Sequence, residues 1–96
     1  MKDIRKKLGI LRRVLPITNN QNELYFENGV MLQSYDSIIA IKFYLKDGNK
    51  YSNKIFLGKK WNYSPIINKY RNIFLEEDIR ITEDKLNKNI YKLIKE

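Results

Sequence analysis

Apolar and polar positions alternate through the middle of the chain and fall at helical spacing toward both ends. Over residues 38–46 the alternation is clean. Ile39, Ile41, Phe43 and Leu45 lie on one side of a strand, and Ile38, Ala40, Lys42, Tyr44 and Lys46 on the other. Upstream, residues 23–27 and 30–34 flank Asn28-Gly29, a pair suited to the positive φ angles of a type I′ hairpin turn. Tyr35-Asp36-Ser37 supplies a second turn and Asp47-Gly48-Asn49 a third. A three-residue loop at the third turn sets Leu45 opposite Tyr51, Ile41 opposite Ile55 and Ile39 opposite Leu57. A two-residue loop puts Lys54 opposite Ile41, so apolar matching favours the longer loop. The expected core face is then Ile39, Ile41, Phe43, Leu45, Tyr51, Ile55 and Leu57. Lys42, Tyr44, Lys46, Lys50 and Lys54 make an open basic face.

At the N-terminus Ile4, Leu8, Leu11 and Leu15 step by four, three and four, which predicts one helix over residues 1–15, weakened by Gly9 and ended by Pro16. Residues 18–22 read as a polar linker. Ser64-Pro65 reads as N-cap and first turn of a helix reaching about Leu75. That helix presents Ile66 or Ile67, Tyr70, Ile73 and Phe74 to the sheet and keeps Asn68, Lys69, Arg71 and Asn72 outside. Glu76-Glu77-Asp78 suits the start of another helix, on which Ile79, Thr82 and Leu86 share a face. Residues 83–95 fit either one helix capped by Thr82 or a helix followed by a short strand at 90–94. The expected fold is α+β: an antiparallel meander of three or four strands with the Pro65–Leu75 helix on its Ile39/Ile41/Phe43 face. A basic helical segment at 1–16 precedes a single domain at 23–94.

Two stretches of the chain resemble a known pattern. Leu32-Gln33-Ser34-Tyr35-Asp36-Ser37-Ile38-Ile39-Ala40 is followed by Lys60-Trp61-Asn62-Tyr63-Ser64, then Asn68-Lys69-Tyr70-Arg71-Asn72 and Phe74-Leu75. Together they resemble a family of small bacteriophage-encoded domains of unassigned activity. Those domains share a Q-S-Y-x-T-x-x-A segment and a later W-x-Y-S-x-T-T-x-K-[HY]-x-N-x-F-L segment. The resemblance spans roughly residues 23–94 and leaves the basic N-terminal segment outside. Where the family carries a basic residue and two threonines, this chain has Pro65, Ile66 and Ile67. The family pattern implies the helix-then-strand arrangement at the C-terminus.

Composition narrows the chemistry. The 96 residues contain no Cys and no His. That excludes disulfides, thiolate metal sites and thiol nucleophiles, and removes the usual general base. No metal or cofactor is expected. The longest strictly apolar run is Ile38-Ile39-Ala40-Ile41, far short of the about 20 residues that span a bilayer. The basic start is not followed by the apolar stretch of a secretory signal, so a cytoplasmic protein of the host cell, away from membranes, is expected. Nineteen Lys and Arg against eleven Asp and Glu give a net charge of +8, and the charge is blocked. Residues 1–15 carry +5, 16–41 carry −3, 42–71 carry +7, 72–84 carry −4 and the remainder +3. Such blocks imply an acidic partner, either a protein face or nucleic acid.

No Gly-rich phosphate loop is present. The carboxylates of residues 76–78 and 83–84 are accounted for as helix-start residues, so an enzyme is not expected. What remains is recognition. Arg5, Lys6, Lys7, Arg12 and Arg13 form the densest cationic cluster. Lys59, Lys60, Trp61 and Tyr63 place two cations and two aromatics where a loop enters a helix, an arrangement that also suits core capping by the two rings. Lys69 and Arg71 extend that group along the helix. Two roles fit. One is a phage-type accessory inhibitor of a host defence nucleoprotein complex, similar to an anti-CRISPR protein, acting on a defence protein or its bound RNA or DNA. The other is a small sequence-tolerant nucleic-acid-binding module.

Overall fold

The computed structural model describes residues 2–18, 20–44 and 51–94. The chain runs α1 (Lys2–Leu8), β1 (Leu11–Thr18), β2 (Gln21–Phe26), β3 (Gly29–Ser34), β4 (Ser37–Tyr44), β5 (Tyr51–Leu57), α2 (Pro65–Leu75), α3 (Ile79–Asn87) and β6 (Lys92–Leu93). The fold is α+β, with a helix packed against a meander sheet. The sheet has six strands in the order β1-β2-β3-β4-β5-β6, antiparallel except for β6, which lies parallel to β5. Helix α3 followed by strand β6 resolves the C-terminus in favour of the helix-then-strand arrangement.

The single helix expected over 1–15 is two elements. Gly9 sits at φ +80 and donates to Arg5 O and Lys6 O, closing α1 one residue after Leu8. Beyond it Leu11 and Leu15 belong to β1 instead of a helix face. The linker expected at 18–22 is mostly strand, since Thr18 pairs with Gln21 and Pro16 with Asn22. Nor does this segment stand outside the domain. Ile4 and Leu8 are buried in one cluster with Met31, Ile38, Ile41 and Phe43, and β1 is the outermost strand of the sheet.

Both faces of the sheet's inner strands are covered, which reverses the expected placement of α2. Leu32 pairs with Ala40 but Gln33 with Ile38, so Ile39 is an extra residue in β4. This bulge turns Ile39 and Ala40 to the same side, where they pack with Val30, Leu32, Leu57 and the α2 residues Ile67, Phe74 and Leu75. Ile41 and Phe43 face the opposite side, under α1. The β4–β5 register differs accordingly. Ala40 meets Leu57, Ile41 meets Phe56 and Lys42 meets Ile55, before a shift brings Tyr44 opposite Tyr51. Leu45, Lys46 and the Asp47–Asn49 turn lie outside the described residues, as does Lys50.

Of the expected open basic face, Lys42 and Tyr44 are instead covered by the α2 core, while Lys54 is exposed. Lys42 Nζ donates to Phe74 O at 2.8 Å and lies 4.2 Å from the Phe74 ring centroid, and burial pulls its pKa below the ordinary lysine value. Tyr44 packs against the same core. The Asn28-Gly29 hairpin forms, but neither residue takes positive φ, so it is not a type I′ turn. Its geometry is set by neighbours. Asn28 N donates to Leu8 O, Glu27 N donates to Ile10 O, and a Cβ on Gly29 would run into the Lys42 carbonyl of β4.

Helix α2 begins as the Ser-Pro pair implies: Ser64 Oγ accepts from Ile67 N at 3.3 Å and Pro65 starts the first turn. It ends at Glu76 in the left-handed region, φ 57. Helix α3 is capped by Asp78, whose carboxylate accepts from Ile81 N and is held below the usual carboxylate range by that bond. Glu77 is buried between the helices and β6, with Thr82 Oγ1, Lys85 Nζ and Tyr91 OH all donating to it within 2.9 Å.

Candidate functional site

The meander fixes two ends of the sheet. At one end lie α1, the start of β1 and the β2–β3 turn. At the other lie the β1–β2 turn, the β3–β4 turn, the close of β5 and the loop that enters α2. The two cationic groups singled out in the sequence therefore occupy opposite ends of the sheet and do not make one surface.

At the first end Arg5, Lys6 and Lys7 are exposed on α1. Arg12 is exposed in β1, with Nη2 3.2 Å from Glu27 Oε2, and Arg13 lies over the Tyr25 ring at 4.5 Å. Glu27 also accepts from Ile10 N, so this carboxylate ties the entry of β1 to the β2–β3 turn. Between and beyond the arginines, Leu11, Val14, Leu15 and Ile17 are each at least 40% exposed. Every residue of β1 is exposed, and among the described residues β1 pairs with β2 alone. One whole edge of its backbone is therefore offered outward. Pro16, which has no N–H to donate, is tolerated because the strand is an edge.

At the second end Lys59 and Lys60 are exposed in the turn after β5, and Lys60 Nζ lies 4.9 Å from the Tyr63 ring centroid. Tyr63 is 69% exposed. Trp61 is instead half-buried against the core under α2. Lys69 is exposed on α2, over Tyr70. Arg71 is not on the surface at all: it is fully buried. Its Nη1 donates to Trp61 O at 2.6 Å and to Asn68 Oδ1 at 2.7 Å, its Nη2 donates to Asn72 Oδ1 at 2.8 Å, and its guanidinium sits 5.3 Å from the Trp61 ring. Burial lowers its pKa. Arg71 holds the loop before α2 to the helix and leaves the set of residues that a partner can touch. Ile73, expected inward, is 64% exposed.

The β3–β4 turn, the loop after β5 and the start of α2 converge at this second end on a cavity of about 240 Å³. The β3–β4 turn contributes Ser34, Tyr35 and Ser37, the loop contributes Lys60, Tyr63 and Ser64, and α2 contributes Ile66 and Ile67. Neither Ser34 nor Tyr35 stood out as a site residue in the sequence. The signal was their spacing within a pattern whose second half holds Lys60 and Tyr63. The apolar edge of β1 was hidden because Leu11 and Leu15 fit a helix equally well.

Among the described residues no group of three or more His, Cys, Asp or Glu is placed to hold a metal ion, and no helix is long and apolar enough to cross a membrane. Compared with known proteins, the chain matches no family model, no curated protein and no solved structure.

Proposed function

We propose that this chain acts by binding, without catalysis, and that β1 is the strand on which it docks an acidic, extended segment of a protein partner. The observation that supports this is the exposure of all eight residues of an edge strand that carries Leu11, Val14, Leu15 and Ile17. Unpaired N–H and C=O groups on an edge template another strand; Arg12, Arg13 and Pro16 guard this one in part, and the four apolar positions stay open. Strand addition takes its affinity from those backbone groups and its selectivity from alternate side chains. Here the side chains are apolar residues interrupted by Arg12 and Arg13, with Arg5, Lys6 and Lys7 beside them on α1. Such an edge favours an occupant that alternates apolar and acidic residues. A second copy is disfavoured, since both chains carry +8. Within the resemblance to phage-encoded domains, the partner is a component of a host defence nucleoprotein complex and this chain is its inhibitor.

The test is calorimetric titration with four probes: an alternating Glu-Val peptide, its Lys-Val counterpart, the Glu-Val peptide with a central proline, and a single-stranded oligonucleotide. The Glu-Val peptide should bind best, by roughly tenfold over the other two peptides, and lose that advantage when Arg12 and Arg13 are both changed to Glu. Tighter binding of the oligonucleotide, or equal binding of all three peptides, overturns the proposal.

A further inference from the structure

The cavity at the other end of the sheet holds a polar group that the fold leaves unused. Ser34 is 1% exposed, it lines the cavity, and its Oγ has no hydrogen-bond partner among the described residues. Burying a hydroxyl without a partner works against folding, and native structures hold few such groups. A second lies on the same rung of the sheet: Gln21, paired with Ser34 across the β2–β3 ladder, is 1% exposed and its Oε1 is likewise unpartnered. Gln21 does not line the cavity and its Oε1 can only accept, so the unpaired Ser34 Oγ, which can donate, is the group that points to a ligand there.

The surrounding chemistry gives its class. Lys60 brings a cation to the rim, and none of the lining residues is acidic. Asp36 is in the adjacent turn but is not part of the lining. The N-terminus of the 11-residue helix α2 opens on the cavity. Pro65 has no N–H and Ile67 N is taken by Ser64 Oγ, so the Ile66 amide is the first-turn donor left for an anion. The remaining walls are apolar or aromatic: Tyr35, Tyr63 and Ile66 are each more than half exposed, beside buried Ile67. The volume lies below the roughly 300–1,000 Å³ of drug-sized pockets, which limits the ligand to about one ring and one charged group.

We infer that this cavity binds a small aromatic anion, a phosphate or carboxylate carried on a single ring. The anionic group is met by Lys60, the Ile66 N–H and Ser34 Oγ, and the ring lies against Tyr35 and Tyr63. This site is separate from β1, so failure of either proposal leaves the other standing.

The experiment is an amide NMR titration of the full chain with phenyl phosphate, benzoate, inorganic phosphate and benzyl alcohol, with thermal melts of each variant. Phenyl phosphate or benzoate should shift the Ser34, Tyr35, Lys60 and Ile66 amides saturably. Inorganic phosphate lacks the ring and benzyl alcohol lacks the charge, and each should bind roughly tenfold more weakly. Ser34→Ala should weaken binding about fivefold without lowering the melting temperature, because the hydroxyl it removes has no partner in the fold. Lys60→Gln, at an exposed position, should weaken binding of both anions and leave benzyl alcohol unaffected. Inorganic phosphate matching phenyl phosphate, benzyl alcohol matching both, or an absence of saturable shifts overturns the proposal. So does a Ser34→Ala variant that melts lower while still binding.

Discussion

Replacing Arg71 with methionine keeps most of the side-chain volume and removes the guanidinium. Three acceptors then lose their donor: Trp61 O, Asn68 Oδ1 and Asn72 Oδ1, now bonded at 2.6, 2.7 and 2.8 Å. Each buried acceptor left unpaired costs about 1–3 kcal/mol. Asn68 and Asn72 are only half-buried and can turn toward water, so they fall at the low end and Trp61 O at the high end. Against this stands the desolvation of a charge that has no bonded carboxylate, the same burial that lowers the Arg71 pKa, and methionine relieves it. The net expectation is a loss of about 3 kcal/mol, set by the neutral acceptors left without a donor. A chain of this length has roughly 5–15 kcal/mol in total, and each kcal/mol moves the midpoint by about 4–8 °C. The melting temperature should therefore drop by roughly 12–24 °C. Arg71→Lys retains the charge but cannot reach oxygens on two sides of the fork, so it should recover less than half of the loss. Lys69→Ala, two residues away and exposed, should stay within about 0.5 kcal/mol of the parent. Urea melts of the three variants decide the matter. If Arg71→Met is as mild as Lys69→Ala, the guanidinium is not holding the loop to the helix.

Glu76 takes the left-handed conformation that ends α2, so Glu76→Gly should raise stability by about 0.5–1 kcal/mol in the same urea melts. Gly29→Ala should cost at least about 2 kcal/mol, because the added Cβ would meet the Lys42 carbonyl of β4. Tyr91 is pushed up to about 12, first by burial and then by its bond to Glu77. A folded-state value above the unfolded value of about 10 gives stability that is whole below pH 10 and is lost as pH rises toward 12. Urea midpoints should fall across that window. The fall should be smaller in Tyr91→Phe, which keeps the contributions of the other shifted groups, among them Lys85, raised by its bond to Glu77, and Tyr25, raised first by burial.

The local signals in the sequence were sound where one force decided the outcome. Ser64-Pro65 started α2, and the alternation of residues 38–44 made a strand, because capping and pleating act within a few residues. What the pattern could not carry was the bulge at Ile39. One extra residue moves the following positions to the other face, and so Lys42 lies under α2 instead of facing solvent. Over residues 11–15, Leu11 and Leu15 satisfy a helical spacing, and no alternation of buried and exposed positions marks the strand, because every residue of β1 is exposed. Gly9 and the pairing with β2 settled it, and only the first is local. Arg71 was legible in part: it lies four residues after Ile67 and three before Phe74, on the face that α2 buries. Charge argued for the outside, while spacing argued for the inside and prevailed because three oxygens were waiting. The cavity needed tertiary structure, since its walls come from segments more than twenty residues apart.

The claim that β1 is a docking strand is tested most directly by amide hydrogen exchange across Leu11–Leu15, measured with and without the alternating Glu-Val peptide. In the free chain the amides of β1 that point away from β2 should exchange fast while the inner strands β3 and β4 stay protected. With the peptide bound, protection should appear in β1 and not on α2 or α3. Protection that appears elsewhere, or a β1 already protected in the free chain by a second copy, would contradict the account.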